Sequence, residues 1–142
     1  MSKLQRVFVY GPPGSAKSVI PLQYAKDEEN YIQLPPDIYA DNEYVSEKNY
    51  FREHLTEETV FCWDRLEFTR FRFIKDFERY LKKFHRFDFF ICSSNPLESY
   101  EQEIQNIIKR NKFKVICTTD DAYTPTEIRK QYINQIVLDL RN

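Results

Sequence analysis

The feature that most constrains the fold of this chain is a regular alternation of two kinds of segment. Short apolar runs rich in β-branched and aromatic residues alternate with segments whose apolar residues recur at helical spacing. The runs predict strands at residues 4–10, 31–34, 59–63, 87–92 and 113–118, and the other segments predict helices at 18–28, 47–55, 71–84, 99–109 and 126–140. Strands that alternate with helices form parallel sheets. We therefore predict an α/β fold with a five-stranded parallel sheet in one domain, residues 1–142, with its core at about 4–118 and a C-terminal helix at about 125–140.

Composition restricts the class of protein more than its function. The net charge of −1 points to neither nucleic acid nor acidic ligands. Cys62, Cys92 and Cys117 lie in apolar runs without metal-ligand spacing, so we predict buried thiols in a reduced, intracellular protein. The N-terminus does not resemble a signal peptide, and no apolar run reaches membrane length. These features predict a soluble protein without a membrane partner.

Charge is unevenly distributed along the chain. Residues 27–64 contain eleven acidic and two basic residues, whereas residues 65–86 contain eight basic and three acidic residues. Solvated faces of opposite sign are the ordinary explanation of such a split. The alternatives are a head-to-tail oligomer or a basic track for nucleic acid.

The segment "GPPGSAKS" follows a predicted strand and opens a predicted helix, which is the context of a phosphate-binding loop. Backbone N–H groups and the helix N-terminus bind phosphate oxygens in such loops. We predict that the segment binds ATP and Mg²⁺, with Lys17 on the terminal phosphates and Ser18 on the metal. Ala16 stands where glycine usually precedes the lysine, and its methyl group is compatible with binding unless positive φ is needed. The predicted nucleotide-binding residues are Gly11, Pro12, Pro13, Gly14, Ser15, Ala16, Lys17 and Ser18.

Two further predicted strands end in polar residues. The run "TVFCWD" ends at Asp64, a candidate Mg²⁺ ligand, and "FFICSSNP" leads to Asn95, whose amide is a candidate contact for the terminal phosphate or the attacking water. Taken alone, Asp64 is explained by a strand-end cap and Asn95 by an Asn-Pro turn. Hydrolysis usually needs a second carboxylate that positions the water. Arg65 follows Asp64, so we expect slow hydrolysis unless the nearby Glu67 takes this role.

Taken together, the ordered motifs resemble the superfamily 3 helicase domain of replication-initiator (Rep) proteins from circular single-stranded DNA viruses of the circovirus type. The resemblance extends from Val7 to about Cys117 and is also carried by "YIQLPPDIYADNEYV", "SSNPLESYEQ" and "IIKRNKFKVIC". Alanine before the lysine is similar to the loops of minichromosome-maintenance helicases and MoxR-type AAA+ proteins.

The resemblance implies a P-loop fold of the AAA+/superfamily 3 type, with strand order 5-1-4-3-2 and helices on both faces. It implies catalytic roles for Lys17, Asp64 and Asn95, and for Arg110, which would act on the nucleotide of a neighbouring subunit. A ring, of hexamer type, follows from that role. Single-stranded DNA or RNA and a replication partner protein are the other implied partners, and the host nucleus is the implied location of a viral protein.

The chain also departs from the family's pattern. Because the loop begins at residue 11, we expect the family's N-terminal endonuclease domain to be missing, and the segment between Asp64 and Asn95 is short for the family's DNA-channel hairpin. These departures favour an alternative, a hydrolysis-poor nucleotide-binding accessory protein whose ATP binding controls assembly with a replication partner. A small-molecule kinase is a weaker alternative because no lid or acceptor site is evident.

Overall fold

The structure is a computed structural model, and it describes residues 4–12, 17–34, 55–69, 74–118 and 125–141, apart from the side chains of 74–76 and 80. Residues 13–16 of the glycine-rich loop and nearly all of the predicted helix at 47–55 lie outside the described residues. The strands are β1 (Arg6–Tyr10), β2 (Tyr31–Leu34), β3 (Val60–Trp63), β4 (Asp88–Ser93) and β5 (Lys114–Cys117). The α-helices in the described part are α1 (Val19–Tyr24), α2 (Ile74–Lys83), α3 (Gln102–Arg110) and α4 (Thr126–Arg141). Short 3₁₀ helices lie at Glu28–Asn30, Leu66–Phe68 and Leu97–Ser99.

The five described strands form a single parallel sheet in the order β2-β3-β4-β1-β5. This is the predicted order 5-1-4-3-2 counted from the opposite side, so the predicted parallel sheet and its order are confirmed. All strands run in the same direction, and their carboxyl ends therefore lie together at one end of the sheet, called here the carboxyl end. β4 lies between β1 and β3, which brings the ends of these three strands side by side.

Alternate side chains of the central strands enter two separate cores, one on each face of the sheet. Phe8, Phe61 and Phe89 lie on one face and pack with residues of α2 and α3, including Phe77 and Ile107. The other face is covered by α1 and α4. The residues of this second core include Val7, Val9, Cys62, Cys92, Ile20, Ile133 and Val137. The predicted helices on both faces are confirmed.

The first helix ends earlier than the sequence pattern predicts. The prediction extended it to residue 28, whereas α1 ends at Tyr24. Lys26 adopts the left-handed conformation with φ 63°, which stops an α-helix. The Asp27 side chain then accepts a hydrogen bond from the Glu29 backbone N–H and caps the following 3₁₀ helix. A local side-chain hydrogen bond therefore replaces the last predicted turn.

Two of the three predicted buried thiols are confirmed. Cys62 and Cys92 are buried, with their sulfur atoms 3.7 Å apart, but the prediction for Cys117 is wrong because this residue is exposed. Cys117 ends β5, which pairs only with β1 in the described sheet. Val115 is likewise 44% exposed, so an apolar strand at the border of the sheet is not covered as fully as one at its centre. No helix in the described ranges is both long and apolar enough to cross a bilayer.

Candidate functional site

The carboxyl end of the sheet is tied together by backbone hydrogen bonds around the end of β1. The Gly11 N–H donates to the Ser93 carbonyl at 3.2 Å, so the chain leaving β1 is held against the end of β4. On the other side, both the backbone N–H and the hydroxyl of Thr118 donate to the Tyr10 carbonyl, at 2.8 and 3.2 Å. Gly11 is buried, whereas Pro12 is exposed. The predicted loop thus begins at a rigid point between β4 and β5.

Lys17 and Ser18 lie immediately before α1. The Lys17 carbonyl accepts a hydrogen bond from the Ile20 N–H at 3.3 Å and a weak one from the Cys92 thiol at 3.8 Å. The backbone of Lys17 is therefore held against β4. Ser18 is the residue before α1; its side chain is exposed and makes no capping hydrogen bond. Its hydroxyl oxygen is thus not used by the helix.

The pKa of the buried Cys92 thiol depends on the groups around it. Its hydrogen bond with Cys62 and its burial raise the pKa of Cys92 well above the usual value. The Asp64 carboxylate raises this pKa further, whereas the Lys17 ammonium lowers it. Both charges consequently act on the same thiol near the end of β4. Lys17 contacts Cys92 of β4, and Asp64 follows Trp63, which pairs with Ile91 of β4, so the predicted phosphate-binding lysine and the predicted metal-binding acid lie at the same end of the sheet.

Asp64 directly follows β3 and is half-buried. Its Oδ2 atom accepts a hydrogen bond from the Gln33 side chain of β2 at 3.0 Å and lies 3.8 Å from Nε of Arg65. Both contacts use Oδ2. An ionised carboxylate and an exposed hydroxyl are oxygen ligands of the kind that Mg²⁺ prefers, so Asp64 and Ser18 fit the predicted metal. Gln33 was not identified from the sequence, because nothing in a strand pattern indicates which neighbour contacts the next strand's end.

Arg65 turns the chain sharply after Asp64. It has φ 52° and ψ 54°, the left-handed conformation that is uncommon for residues other than glycine. The 3₁₀ helix that follows buries Leu66 completely and directs Glu67 towards β4. The two carboxylate oxygens of Glu67 accept from the Ser94 backbone N–H at 3.0 and 3.3 Å. Glu67, whose role the sequence left open, therefore lies at the carboxyl end between β3 and β4.

The turn that begins at the last residue of β4, Ser93–Asn95, is held by a closed set of hydrogen bonds. The Ser93 hydroxyl donates to the Asn95 carbonyl at 2.8 Å and accepts from the Asn95 N–H at 3.0 Å. Because a serine has one hydroxyl proton, the Tyr100 hydroxyl is the donor in its 2.6 Å contact with Ser93. Burial raises the pKa of Tyr100 to about 12, so this donor stays protonated. The turn is therefore fixed, and the exposed Asn95 side chain extends from a rigid base.

Arg110 lies apart from these residues. It ends α3, four positions before β5 begins at Lys114, and Lys114 is paired near the start of β1 with Val7. Arg110 is consequently near the amino end of the sheet, opposite the carboxyl end. Its guanidinium makes two hydrogen bonds to the Glu78 carboxylate, at 2.7 and 2.9 Å, and the Asn111 side chain adds a third. The structure thus brings Lys17, Ser18, Asp64 and Asn95 to one end, and Arg110 to the other.

Comparison with known proteins adds no assignment. No model of a known protein family matches the chain, and no curated protein matches it significantly. Within the described ranges, no group of three or more His, Cys, Asp or Glu residues is arranged to hold a metal ion by itself. The strand order alone assigns a fold class: the all-parallel order β2-β3-β4-β1-β5 is consistent with Rossmann-like and P-loop-like α/β proteins. Such folds bind ligands outside the carboxyl ends of their strands.

Proposed function

We propose that this chain is an ATP-binding, superfamily 3 helicase-like ATPase domain that acts in viral or plasmid DNA replication. The observation that carries the proposal is the meeting of β1, β4 and β3 at the carboxyl end of the sheet. This arrangement gathers Lys17, Asp64 and Asn95, which the sequence had assigned to phosphate, metal and terminal phosphate respectively. Residues that follow adjacent parallel strands share this end of the sheet, and the three that do so here supply an ammonium, a carboxylate and an amide, the groups that phosphate and Mg²⁺ require.

Each residue has a role that its position supports. The Lys17 ammonium would neutralise the charge of the terminal phosphates, while Ser18 and Asp64 would hold Mg²⁺ directly or through water. When bound, Mg²⁺ neutralises charge that develops on the phosphate oxygens. The Asn95 amide, at the end of a fixed turn, would donate to the terminal phosphate or orient the attacking water. Preorganised donors of this kind lower the barrier because they need no rearrangement during the reaction.

The position of Arg110 supports action in a ring. A residue near the amino end of the sheet is separated from its own chain's carboxyl end by the length of the strands. In a head-to-tail assembly, the same residue would approach the nucleotide of the next subunit and stabilise transition-state charge there. Glu78 would hold the guanidinium in the isolated subunit. A ring of hexamer type around single-stranded DNA or RNA is the corresponding assembly.

A second candidate function is favoured by one observation. Arg65 occupies the position next to Asp64, where the second acid of such ATPases is expected, and its Nε lies 3.8 Å from Asp64. A cation at this position cannot act as a base towards water. The chain would then be a nucleotide-binding accessory protein in which ATP controls assembly with a replication partner.

The proposed nucleotide site is tested by isothermal titration of the wild-type chain and Lys17→Ala with Mg·ATP. Loss of a charge-assisted contact should weaken binding by about 1.5–3 kcal/mol, or about 10-fold to 150-fold. Lys130→Ala removes an exposed lysine from α4 and serves as the matched control, with unchanged affinity. Equal affinity of wild type and Lys17→Ala would contradict the assignment. Turnover with and without single-stranded DNA then separates the helicase-like ATPase from the accessory protein.

A further inference from the structure

We propose that Glu67 supplies the carboxylate that positions and deprotonates the attacking water at this site, although it is not adjacent to Asp64 in the sequence. The inference rests on the proposed function and assigns the residue that the proposed reaction lacks. It is carried by the contact between Glu67 and the Ser94 N–H, which holds the carboxylate at the carboxyl end, beside the turn that bears Asn95.

The backbone explains how a residue three positions after Asp64 reaches this place. The left-handed conformation of Arg65 reverses the chain immediately after β3. Leu66, which is fully buried in the core, anchors the 3₁₀ helix that follows. With Leu66 fixed inward, Glu67 reaches from the end of β3 to the Ser94 N–H at the end of β4. Its half-buried side chain has lost much of its freedom before any ligand binds, which is the condition for a preorganised catalytic group.

The carboxylate retains capacity to accept a proton from water. An ionised carboxylate has about four acceptor sites on its two oxygens, and the Ser94 N–H is a single donor. The Glu67 charge also raises the pKa of Tyr100, after the larger effects of burial, which raises this pKa, and of the Ser93 hydrogen bond, which lowers it. Glu67 is therefore bonded to the backbone of the residue that precedes Asn95, the residue that we assign to the terminal phosphate.

The step that Glu67 would perform is a hydrolysis. The water oxygen forms a bond to the γ-phosphorus of ATP while the bond from that phosphorus to the β,γ-bridging oxygen breaks. The products are ADP and inorganic phosphate. Glu67 takes the proton that the water loses and returns it to solvent or phosphate, so no oxidant or reductant is required. Arg65, in contrast, would remain charged and exposed beside Asp64.

A capping role alone would also place Glu67 here, and the choice of variants separates the two roles. Glu67→Gln keeps a side-chain oxygen that can accept from the Ser94 N–H but removes the base. Glu67→Ala removes both. The matched control is Asp139→Asn, because Asp139 is an exposed carboxylate of α4 that likewise accepts a hydrogen bond, from Gln135, and lies at the end of α4 away from the site. Mg·ATP affinity is measured by titration calorimetry, and turnover is measured by phosphate release.

We expect Glu67→Gln to reduce kcat by at least about 100-fold while the Kd for Mg·ATP changes by less than about threefold, since a base acts on the barrier. Asp139→Asn should change neither quantity. Retained turnover in Glu67→Gln together with loss in Glu67→Ala would overturn the inference and leave Glu67 as a cap. Wild type that binds Mg·ATP without turning it over would also overturn the inference but spare the nucleotide site. Wild type that does not bind Mg·ATP would overturn both.

Discussion

The closed hydrogen-bond set of the Ser93–Asn95 turn makes a strong quantitative prediction about Ser93 and Tyr100. Tyr100→Phe removes one hydrogen bond, the 2.6 Å contact with Ser93, and should cost about 1 kcal/mol of unfolding free energy. Ser93→Ala removes the same bond and the two that join Ser93 to Asn95. It also leaves the half-buried Tyr100 hydroxyl without its acceptor. We expect a cost of about 3 kcal/mol, because a stranded polar group costs more than a lost bond.

The double variant tests the reasoning. If the stranded hydroxyl is part of the cost, then Tyr100→Phe should cost nothing in a Ser93→Ala background and should restore some stability. The two changes would then be non-additive by more than about 1 kcal/mol, the value that the shared hydrogen bond alone would give. Urea unfolding of wild type, both single variants and the double variant gives these values. Tyr132→Phe is the control, because the half-buried Tyr132 loses only one exposed hydrogen bond, the 3.1 Å bond to the Cys117 carbonyl.

Additive costs would refute the argument, because they would mean that Ser93 and Tyr100 act independently. A cost near zero for Ser93→Ala would refute it as well, since water would then satisfy the turn. In either case Asn95 would not have a rigid base. The proposed role of Asn95 would then lose the preorganisation on which it depends.

Two further predictions concern the Glu78–Arg110 pair and the ring. The hydrogen bonds from Arg110, and more weakly from Asn111, lower the pKa of Glu78 from 4.5 to about 2, against the opposing effect of burial. A lowered folded-state pKa stabilises the protein fully above pH 4.5, and the stabilisation is lost as the pH falls towards 2. Melting temperatures of wild type and Glu78→Gln should therefore converge only below pH 4.5, and a constant difference would contradict this. Arg110→Ala should preserve ATP binding but reduce ATP-driven assembly, and mixing it with Lys17→Ala subunits should restore some turnover. Assembly is measured by light scattering over a salt series. A protein that stays monomeric with ATP and single-stranded DNA would contradict the ring.

Much of the fold could be predicted because short apolar runs in the sequence mark the central strands. Central strands of a parallel sheet are buried on both faces, so they appear as continuous apolar runs such as "TVFCW" and "FDFFIC". The corresponding strands β3 and β4 are almost entirely buried. The β5 prediction was less complete: an apolar run indicates a strand, but it does not tell whether both faces are covered. Cys117 is exposed for that reason.

Some features of the candidate site could also be predicted from local sequence, and others could not. Asp64 and Asn95 could be found because each follows an apolar run, and parallel strands place such residues together. The pair of Arg110 with Glu78 could not be found, because the two residues are 32 positions apart and meet only through the packing of α2 and α3. The end of α1 was missed because a left-handed Lys26 has no propensity signal. A glycine at this position would have indicated a left-handed conformation, but both glycines of the chain, Gly11 and Gly14, are in the segment "GPPG".

Arg65 has two opposing effects on the proposed reaction. It occupies the position beside Asp64 where a second acid is expected, and its backbone conformation brings Glu67 to the site. A left-handed conformation costs a residue with a Cβ roughly 1–2 kcal/mol. Such a conformation persists only when the surrounding contacts require it. Here the burial of Leu66 and the bond from Ser94 to Glu67 supply that requirement. Arg65 therefore stands where an acid beside Asp64 is expected, and the turn that it makes places a different acid, Glu67, at the carboxyl end. Arg65 beside Asp64 favours the accessory protein only if Glu67 does not act as the base, so the carboxylate of Glu67 is the group on which the two functions differ.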